Sequence, residues 1–479
     1  HKAIIAYLKN ERAQGKYEFH YALKSIHLSR VNDITYIREL KNEINLMKRL
    51  DHCNIVRPLE TYQFSGQLYM LMELCSGGDL YARDPYTEEQ AAHIVESLLS
   101  AVAYMHEHNI VHRDLKYENV MFVNSSRNSE IKIIDFGLSK KFLRDQKLKE
   151  GVGTIYTMAP EVLKKNYTSK ADVWSVGVLA YMLLSSQMPF YGRKRREVVK
   201  KISKSTFDFK GRRWSTISSQ AKDFVTELLR RDPTERPTAE EARKALWVNT
   251  GQSSFSSMRT EEGMAVVNKS LEHYSTLKVL QKLALMVIAH KSTSEEIGFL
   301  RKAFKRYNSE QHGTISLVEF KKCLSVHEYS ESYMEHLFRE VDLDGTGEIK
   351  YTEFLAASIE STGLITEERL AEAFDRLDSD DSGFITVDSL RALLGDEVSS
   401  DYVEGIIAES GIHEDKRISY DEFLSLWDLD LEVEERKLEI VRCISKARSV
   451  RHIEEEMIYA SSTDEPGSDS ELSHRNEPI

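Results

Sequence analysis

At 479 residues the chain is longer than one ordinary hydrophobic core organises, and 41% hydrophobic with 30% charged residues excludes both a disordered chain and one made of membrane spans. Its longest purely apolar stretches, such as Leu283 to Ala289, are far too short to cross a bilayer. The net charge of −12 is unevenly spread: residues 1–250 carry 40 Lys and Arg against 30 Asp and Glu, and the remainder 25 against 47. A basic part suited to anionic phosphates thus adjoins an acidic part suited to a cation, although two domains with ordinary surface charge would read the same way. Cys53, Cys75, Cys323 and Cys443 show no CxxC or zinc-type spacing and read as free thiols in a reducing, cytoplasmic setting. The chain begins at His1, so membrane attachment is expected only through an acylated segment upstream of it.

In chain order, residues 1–80 mix strand-like runs (Tyr17 to Ile26, Gln67 to Leu74) with one helical stretch from about Tyr36 to Leu50. Helical spacing then dominates: Ala91 to His106, Lys170 to Ser185, Ser218 to Arg230 and Ala239 to Ala245. The polar, turn-rich stretch 249–262 marks a boundary, and one long helix is expected from Glu262 to His290. A unit of about 35 residues then repeats four times between Phe304 and Leu426. From Ser461 the chain is rich in Ser, Asp, Glu and Pro and is expected to be disordered.

Four motifs in the first part bear on phosphoryl transfer. Tyr21-Ala22-Leu23-Lys24 ends a strand, and Glu43 follows on the next helix; a lysine holds nucleotide phosphates when a helix carboxylate orients it. Alone, a lysine after apolar residues is usually just a strand end. His112-Arg113-Asp114-Leu115-Lys116-Tyr117-Glu118-Asn119 offers a carboxylate (Asp114) to accept a hydroxyl proton, a neutral oxygen (Asn119) for Mg2+, and a cation (Lys116) near the transferred phosphate. Asp135-Phe136-Gly137 follows the apolar run Ile131 to Ile134 and supplies a hard oxygen ligand for Mg2+. Ala159-Pro160-Glu161 closes a loop suited to a protein substrate. Their order and spacing, rather than any one of them, make the signal specific.

These residues resemble the eukaryotic protein kinases over about 1–248. The resemblance implies ATP with Mg2+ as cofactors, Met72 as gatekeeper, and Glu73 to Cys75 as the adenine-binding hinge. It also implies that Asp79 and Glu118 are ribose and substrate-arginine contacts, which favours protein substrates with basic residues near Ser or Thr. Asp172-Val173-Trp174-Ser175 resembles the family's central helix, Arg236 its partner for Glu161, and Lys116 its serine/threonine-type pattern. Two departures stand out: no Gly-x-Gly-x-x-Gly precedes Lys24, so that loop is expected upstream of His1, and Asp79 to Asp114 is a few residues short, around Tyr81-Ala82-Arg83. Between Phe142 and Gly153 there is no Ser, Thr or Tyr, while Glu150 sits where many kinases need a phosphate. Arg113 is therefore expected to pair with a fixed carboxylate, and the switch to lie elsewhere.

The repeats supply that switch. An EF-hand loop needs oxygen ligands at positions 1, 3, 5 and 7, glycine at 6 and a bidentate carboxylate at 12. The second repeat meets this with Asp342, Asp344, Thr346, Gly347, Glu348 and Glu353, with Lys350 awkward at position 9. The third offers Asp378, Asp380, Ser382, Gly383 and Phe384 but has Ser389 at position 12, so weaker Ca2+ binding is expected. The first (Asn308, Glu310, His312, Gly313, Glu319) has lost two good ligands, and the fourth (Gly411 to Glu422, with His413, Asp415 and Lys416) reads as structural.

Between the two parts, Val266, Val267, Leu271, Tyr274, Leu277, Leu280, Leu283, Ala284 and Val287 recur at helical spacing with Lys269, Lys278 and Lys282 among them. Such a helix suits an EF-hand groove, although it could equally be a core helix. The whole order resembles plant and protist calcium-dependent protein kinases. It implies a bilobal α+β kinase fold, β-rich then helical, followed by an all-α calmodulin-like domain of four EF-hands in two lobes. The expected divisions are 1–248 kinase, 249–292 linker and junction helix, 293–360 and 361–428 the two EF-hand pairs, 429–460 a helical extension and 461–479 the tail. The function implied is a Ca2+-activated kinase held inactive by junction helix and hands without Ca2+, acting as a monomer and without nucleic acid. A catalytically silent Ca2+-binding scaffold is the alternative, and activation by a separate calmodulin is disfavoured because the chain carries its own hands.

Overall fold

The computed structural model describes residues 3–8, 19–27, 43–64, 66–142, 147–250, 261–325, 329–395, 398–410 and 416–427. Cys443, the expected 429–460 extension, the tail and the 36–42 portion of the first expected helix lie outside them.

Four strands build the first lobe: β1 (Ala3–Leu8), β2 (Phe19–His27), β3 (Pro58–Phe64) and β4 (Gln67–Glu73), antiparallel in the order β1-β2-β4-β3. Lys24 therefore lies on an inner strand, opposite Ala3 on one side and Met70 on the other. A short helix at 43–47 brings Glu43 over this sheet.

The second lobe is helical. Its Glu88–Glu107 helix starts at a capping box in which Thr87 and Gln90 exchange side-chain-to-backbone bonds of 3.0 and 3.2 Å. The Lys170–Ser185 helix is buried continuously from Ala171 to Ser185, as expected of a helix that is apolar all round. Gly177 allows close approach of the Ser219–Leu228 helix, since a Cβ there would lie 2.8 Å from Leu228 Cβ. Buried Arg236 bonds both oxygens of Glu161 (2.6 and 3.1 Å), the pairing that the resemblance implied.

The single helix expected from Glu262 to His290 is two, Glu261–Thr276 and Val279–Lys291. The Ser275 and Thr276 hydroxyls donate to the carbonyls of Glu272 and His273, each at 2.7 Å, competing with continued helix. Lys278 then turns extended (ψ 153°), and Gln281 Oε1 accepts its N–H at 3.0 Å. Periodicity runs through this break because both helices bury the same kind of face: Val267, Leu271 and Tyr274 in the first, Leu280, Ala284, Leu285 and Ile288 in the second. These residues share one hydrophobic cluster with the repeats, so the connecting helices are at once core helices and groove occupants. The repeats pair through two-stranded ladders, Ile315–Ser316 with Glu348–Ile349 and Phe384–Thr386 with Arg417–Ser419, giving two lobes. No described helix is long and apolar enough to cross a membrane.

Candidate functional site

In the cleft between the two lobes of the N-terminal part, Lys24 Nζ donates to Glu43 Oε1 at 2.6 Å and lies 3.3 Å from Asp135 Oδ1. Burial opposes the ammonium, but Glu43 and Asp135 outweigh it and raise the Lys24 pKa. Asp135 is about half exposed (48%), and although burial would raise its carboxyl, Lys24 holds it below the usual carboxylate range. Phe136 next to it is fully buried, edge-on to His112 at 5.1 Å, which fixes the segment carrying Asp135.

The residues 112–119 form a second cluster. Asp114 Oδ1 accepts from Thr154 N (2.9 Å) and Thr154 Oγ1 (2.6 Å), and Oδ2 accepts from Lys116 Nζ at 2.6 Å. Asn119 Nδ2 donates to Asp114 O at 2.9 Å, which leaves its Oδ1 as the free acceptor. The backbone is left-handed at Arg113 (φ 72°) and at Asp135 (φ 62°). At Arg113 the buried Asp172 carboxylate offsets this strain by accepting from the N–H groups of His112 (2.9 Å) and Arg113 (2.8 Å). Asn119 Oδ1, half-exposed Asp135 and the ion-paired Lys24 are a donor set that fits ATP with Mg2+.

Around this cleft the expected contacts divide. Met72 packs against the main core, and Cys75 is buried, which pushes its thiol up to about 12. The Glu73 carboxylate, however, is committed elsewhere: it accepts from Arg57 N (2.8 Å), Lys132 Nζ (2.7 Å) and Ser294 Oγ (2.6 Å). Burial would raise its pKa, but Lys132 and then Arg57 hold it at about 2. A nucleotide at this position therefore has only the backbone of Glu73 to meet. Asp79 Oδ1 caps the Leu80–Arg83 turn through Tyr81 N at 3.0 Å, the place where the chain is short. Glu118 is exposed and accepts from Tyr156 OH at 2.7 Å. Glu150 pairs with Lys140 at 2.5 Å and with Arg113, and these partners lower its carboxyl pKa.

In loop 342–353 the carboxylate oxygens of Asp342, Asp344 and Glu353 lie within 4.8 Å of one another, the one convergence of three such ligand groups among the described residues. Asp342 accepts from Thr346 N (3.0 Å) and Gly347 N (2.8 Å), and Thr346 Oγ1 donates to the Glu348 carbonyl at 3.1 Å. Burial, with Asp344 and Asp342 adding, pushes the Glu353 carboxyl up to about 7, while Lys350 Nζ bonds Asp344. The three-carboxylate donor set fits Ca2+. The third loop is built alike, with Asp378 accepting from Ser382 N (3.0 Å) and Gly383 N (2.7 Å) and Ser382 Oγ donating to Phe384 O at 3.1 Å. Exposed Asp380 is beside them, but Ser389 Oγ caps Thr386 N at 2.7 Å where Glu353 caps Lys350 N at 2.8 Å. Of the fourth loop, residues 411–415 lie outside the described ones.

The two parts of the chain are joined by polar contacts. Arg57 donates to the carbonyls of Ala289 (3.0 Å) and Ser292 (2.8 Å) at the end of the second connecting helix. His290 meets Pro58 O at 3.0 Å, Lys291 pairs with Glu60 at 2.9 Å, and Lys305 with Glu130 at 2.5 Å. Thr352, beside Glu353, donates to Asp51 through both its N–H and its hydroxyl, each at 2.8 Å. The bonds of Asp114, Lys116 and Glu118 stay within the N-terminal part.

Sequence reasoning missed Thr154, Lys132 and the Asp51–Thr352 pair. Thr154 lies one residue past the hydroxyl-free segment Phe142 to Gly153. Lys132 was visible as a charge inside the apolar run Ile131 to Ile134, a signal for a buried partner. No local signal marks Asp51.

Comparison with known proteins places these features among relatives. Residues 10–248 match the protein kinase domain family, and residues 299–359 and 367–427 each match the EF-hand domain pair. The chain is 34% identical over 433 residues to Calcium-dependent protein kinase 7 of Arabidopsis thaliana, covering 88% of this chain and 80% of that one. It is 34% identical over 415 residues to Calcium-dependent protein kinase 5 of Plasmodium falciparum, covering 85% and 72%. Calcium-dependent protein kinase 20 of Oryza sativa is 34% identical over 432 residues, covering 88% and 77%.

Proposed function

The chain belongs to the calcium-dependent protein kinase family of serine/threonine kinases, and from that premise we propose how its own residues divide the work. ATP with Mg2+ supplies the phosphoryl group. Lys24, set by Glu43, would meet phosphate oxygens, and Asp135 and Asn119 would hold the metal. Asp114 accepts the proton of the incoming Ser or Thr hydroxyl, with Thr154 orienting it and Lys116 offsetting charge on the transferred group. Exposed Glu118 selects basic residues on the substrate. The observation that carries this reading is the assembled cleft, with Lys24 2.6 Å from Glu43 and 3.3 Å from Asp135.

The arrangement described here is the active one. The bonds joining regulatory region and kinase part fall on Asp51, Arg57, Pro58, Glu60, Glu73 and Glu130, while the Lys24–Glu43 pair is formed. Asp342, Asp344 and Glu353 would hold Ca2+ in loop 342–353, and Thr352 beside Glu353 bonds Asp51, four residues beyond the 43–47 helix that carries Glu43. Without Ca2+ that hold relaxes, and the junction helices with the hands cover the substrate site or prop the lobes apart. A radiolabelled-ATP assay on a basic Ser/Thr peptide should show strong incorporation in Ca2+ and little in EGTA. Activity indifferent to EGTA would sink the regulatory reading, and no incorporation even in Ca2+ would leave the silent scaffold.

The pairing of Glu150 with Arg113 and Lys140 predicts a smaller effect. Glu150→Gln should lower kcat about fivefold, because the two ion pairs of this half-exposed carboxylate together contribute about 1 kcal/mol. The Ca2+ concentration for half activation should stay unchanged in the same assay.

A further inference from the structure

The helix Arg195–Lys204 and the loop leading into it concentrate positive charge on the helical lobe. Seven of the residues 193–204 are Lys or Arg, against one carboxylate, Glu197, whose Oε2 accepts from the Arg193 N–H at 3.0 Å. All seven are exposed, and among the described residues none makes a side-chain hydrogen bond or a salt bridge.

Local helix stability argues against this arrangement. Arg195 and Arg196 stand in the first turn, where the helix dipole disfavours cations, and Arg196, Lys200 and Lys204 repeat like charges at four-residue spacing along one face. Packing from below holds the helix instead, through buried Ile202 and through Val198 against the main core. Just ahead of the cations Met188 (38%) and Tyr191 (67%) are exposed, and neighbouring Phe190 is fixed by stacking on Trp174 at 5.4 Å. A firmly seated cationic face with an apolar edge, kept at a cost in local stability, is the form a binding surface takes.

The same chain contains its complement. Residues 454–471 hold seven Asp and Glu and no Lys or Arg: Glu454 to Glu456, then Asp464, Glu465, Asp469 and Glu471, with Met457, Ile458 and Tyr459 between the two groups. Twenty-six residues separate Trp427 from Glu454, a connection that spans up to ~90 Å at full extension. A kinase part of this size has a radius of gyration of only ~18 Å. Tethering gives this segment a high effective concentration at the face, an advantage that a lipid surface or a separate acidic protein lacks.

We propose that residues 454–471 dock on the cationic face of residues 193–204 in the same molecule. The Arg195–Lys204 helix packs against the Pro160–Leu163 helix, so the docked segment borders the loop expected to seat a protein substrate. The inference rests on surface charge and stands apart from the assignment of catalytic residues and Ca2+ sites.

Carbodiimide cross-linking of the full chain in dilute solution joins amines to carboxylates in direct contact and tests it. Mass spectrometry should find Lys200, Lys201 or Lys204 joined to the 454–471 carboxylates within one molecule. The yield should fall about tenfold when ionic strength rises from about 0.1 to 1 M and the Debye length shortens from about 10 to 3 Å. A full chain with those seven carboxylates changed to amides (Glu→Gln, Asp→Asn) should bind a synthetic 454–471 peptide in fluorescence anisotropy. Adding Arg196→Gln and Lys200→Gln to that chain should weaken the peptide about fivefold or more without lowering the thermal midpoint. Cross-links from these lysines to other segments only, or a peptide affinity indifferent to the two substitutions, would overturn the proposal. So would sedimentation of the wild-type chain with phosphatidylserine vesicles that depends on Arg196 and Lys200 while no cross-link to 454–471 forms, which would give the face to a membrane.

Discussion

Glu353→Gln should raise the Ca2+ concentration for half-maximal kinase activity by at least about 100-fold, because losing a direct ligand should exceed the 10–100-fold cost of losing an outer partner. The amide keeps the volume and one acceptor, so the capping contact with Lys350 N (2.8 Å) can survive while the bidentate ligand is lost. Among the described residues three carboxylates converge only at Asp342, Asp344 and Glu353, and the third loop, with Ser389 at position 12, should compensate little. The loss reaches the kinase through the next residue, Thr352, whose two bonds to Asp51 depend on the first turn of the Tyr351–Ser358 helix. Lys350 adds to the Ca2+ requirement, since its ammonium already bonds Asp344 and must be displaced. Glu422→Gln is the control: that carboxylate caps Ser419 (2.8 and 2.6 Å) in a loop with Gly411 and Lys416, and half activation should move little. Titration of peptide phosphorylation against buffered free Ca2+ decides the matter, and equal shifts in both variants would remove loop 342–353 from its special place.

Where the sequence was legible, the residues carried their own geometry. Asp114, Asn119, Asp135 and Glu161 sit in motifs whose spacing fixes the turn each occupies, and Gly347 with Glu353 fixes a loop in the same way. The break at Leu277–Lys278 was not legible, because apolar spacing reports which face is buried and not whether the backbone is continuous. The contacts between the two parts were hidden for another reason. Arg57 and Glu73 are single charged residues amid apolar ones, Asp51 stands among other polar residues, and their partners Ala289, Ser294 and Thr352 lie more than two hundred residues away. Glu73 shows the limit most clearly: its motif position implies a hinge beside adenine, yet its carboxylate belongs to Lys132 and Ser294. Loop 308–319 is a further case: His312 at position 5 lies 3.2 Å from Arg243 of the kinase part, a partner that no local pattern announces.

Asp114→Asn should lower kcat by about 10²–10⁴, the range that a positioned general base contributes. Ca2+ binding should be unchanged, because among the described residues the partners of Asp114 are Thr154, Lys116 and Asn119, all in the kinase part. The KM for ATP should change little, since Lys24, Glu43 and Asp135 form their own cluster. The substitution acts twice. An amide cannot accept the hydroxyl proton, and the amide NH2 of the new side chain replaces the oxygen that now receives Lys116 at 2.6 Å, setting donor against donor. Thr154→Val separates these effects: it removes the 2.6 Å hydroxyl bond that orients Asp114 but leaves the base itself. Its kcat should fall by about tenfold, the equivalent of about 1.4 kcal/mol and the size of one hydrogen bond to a charged group. If Asp114→Asn kept more than about a tenth of wild-type kcat, the carboxylate would be a positioning group and the proton would have to leave by another route.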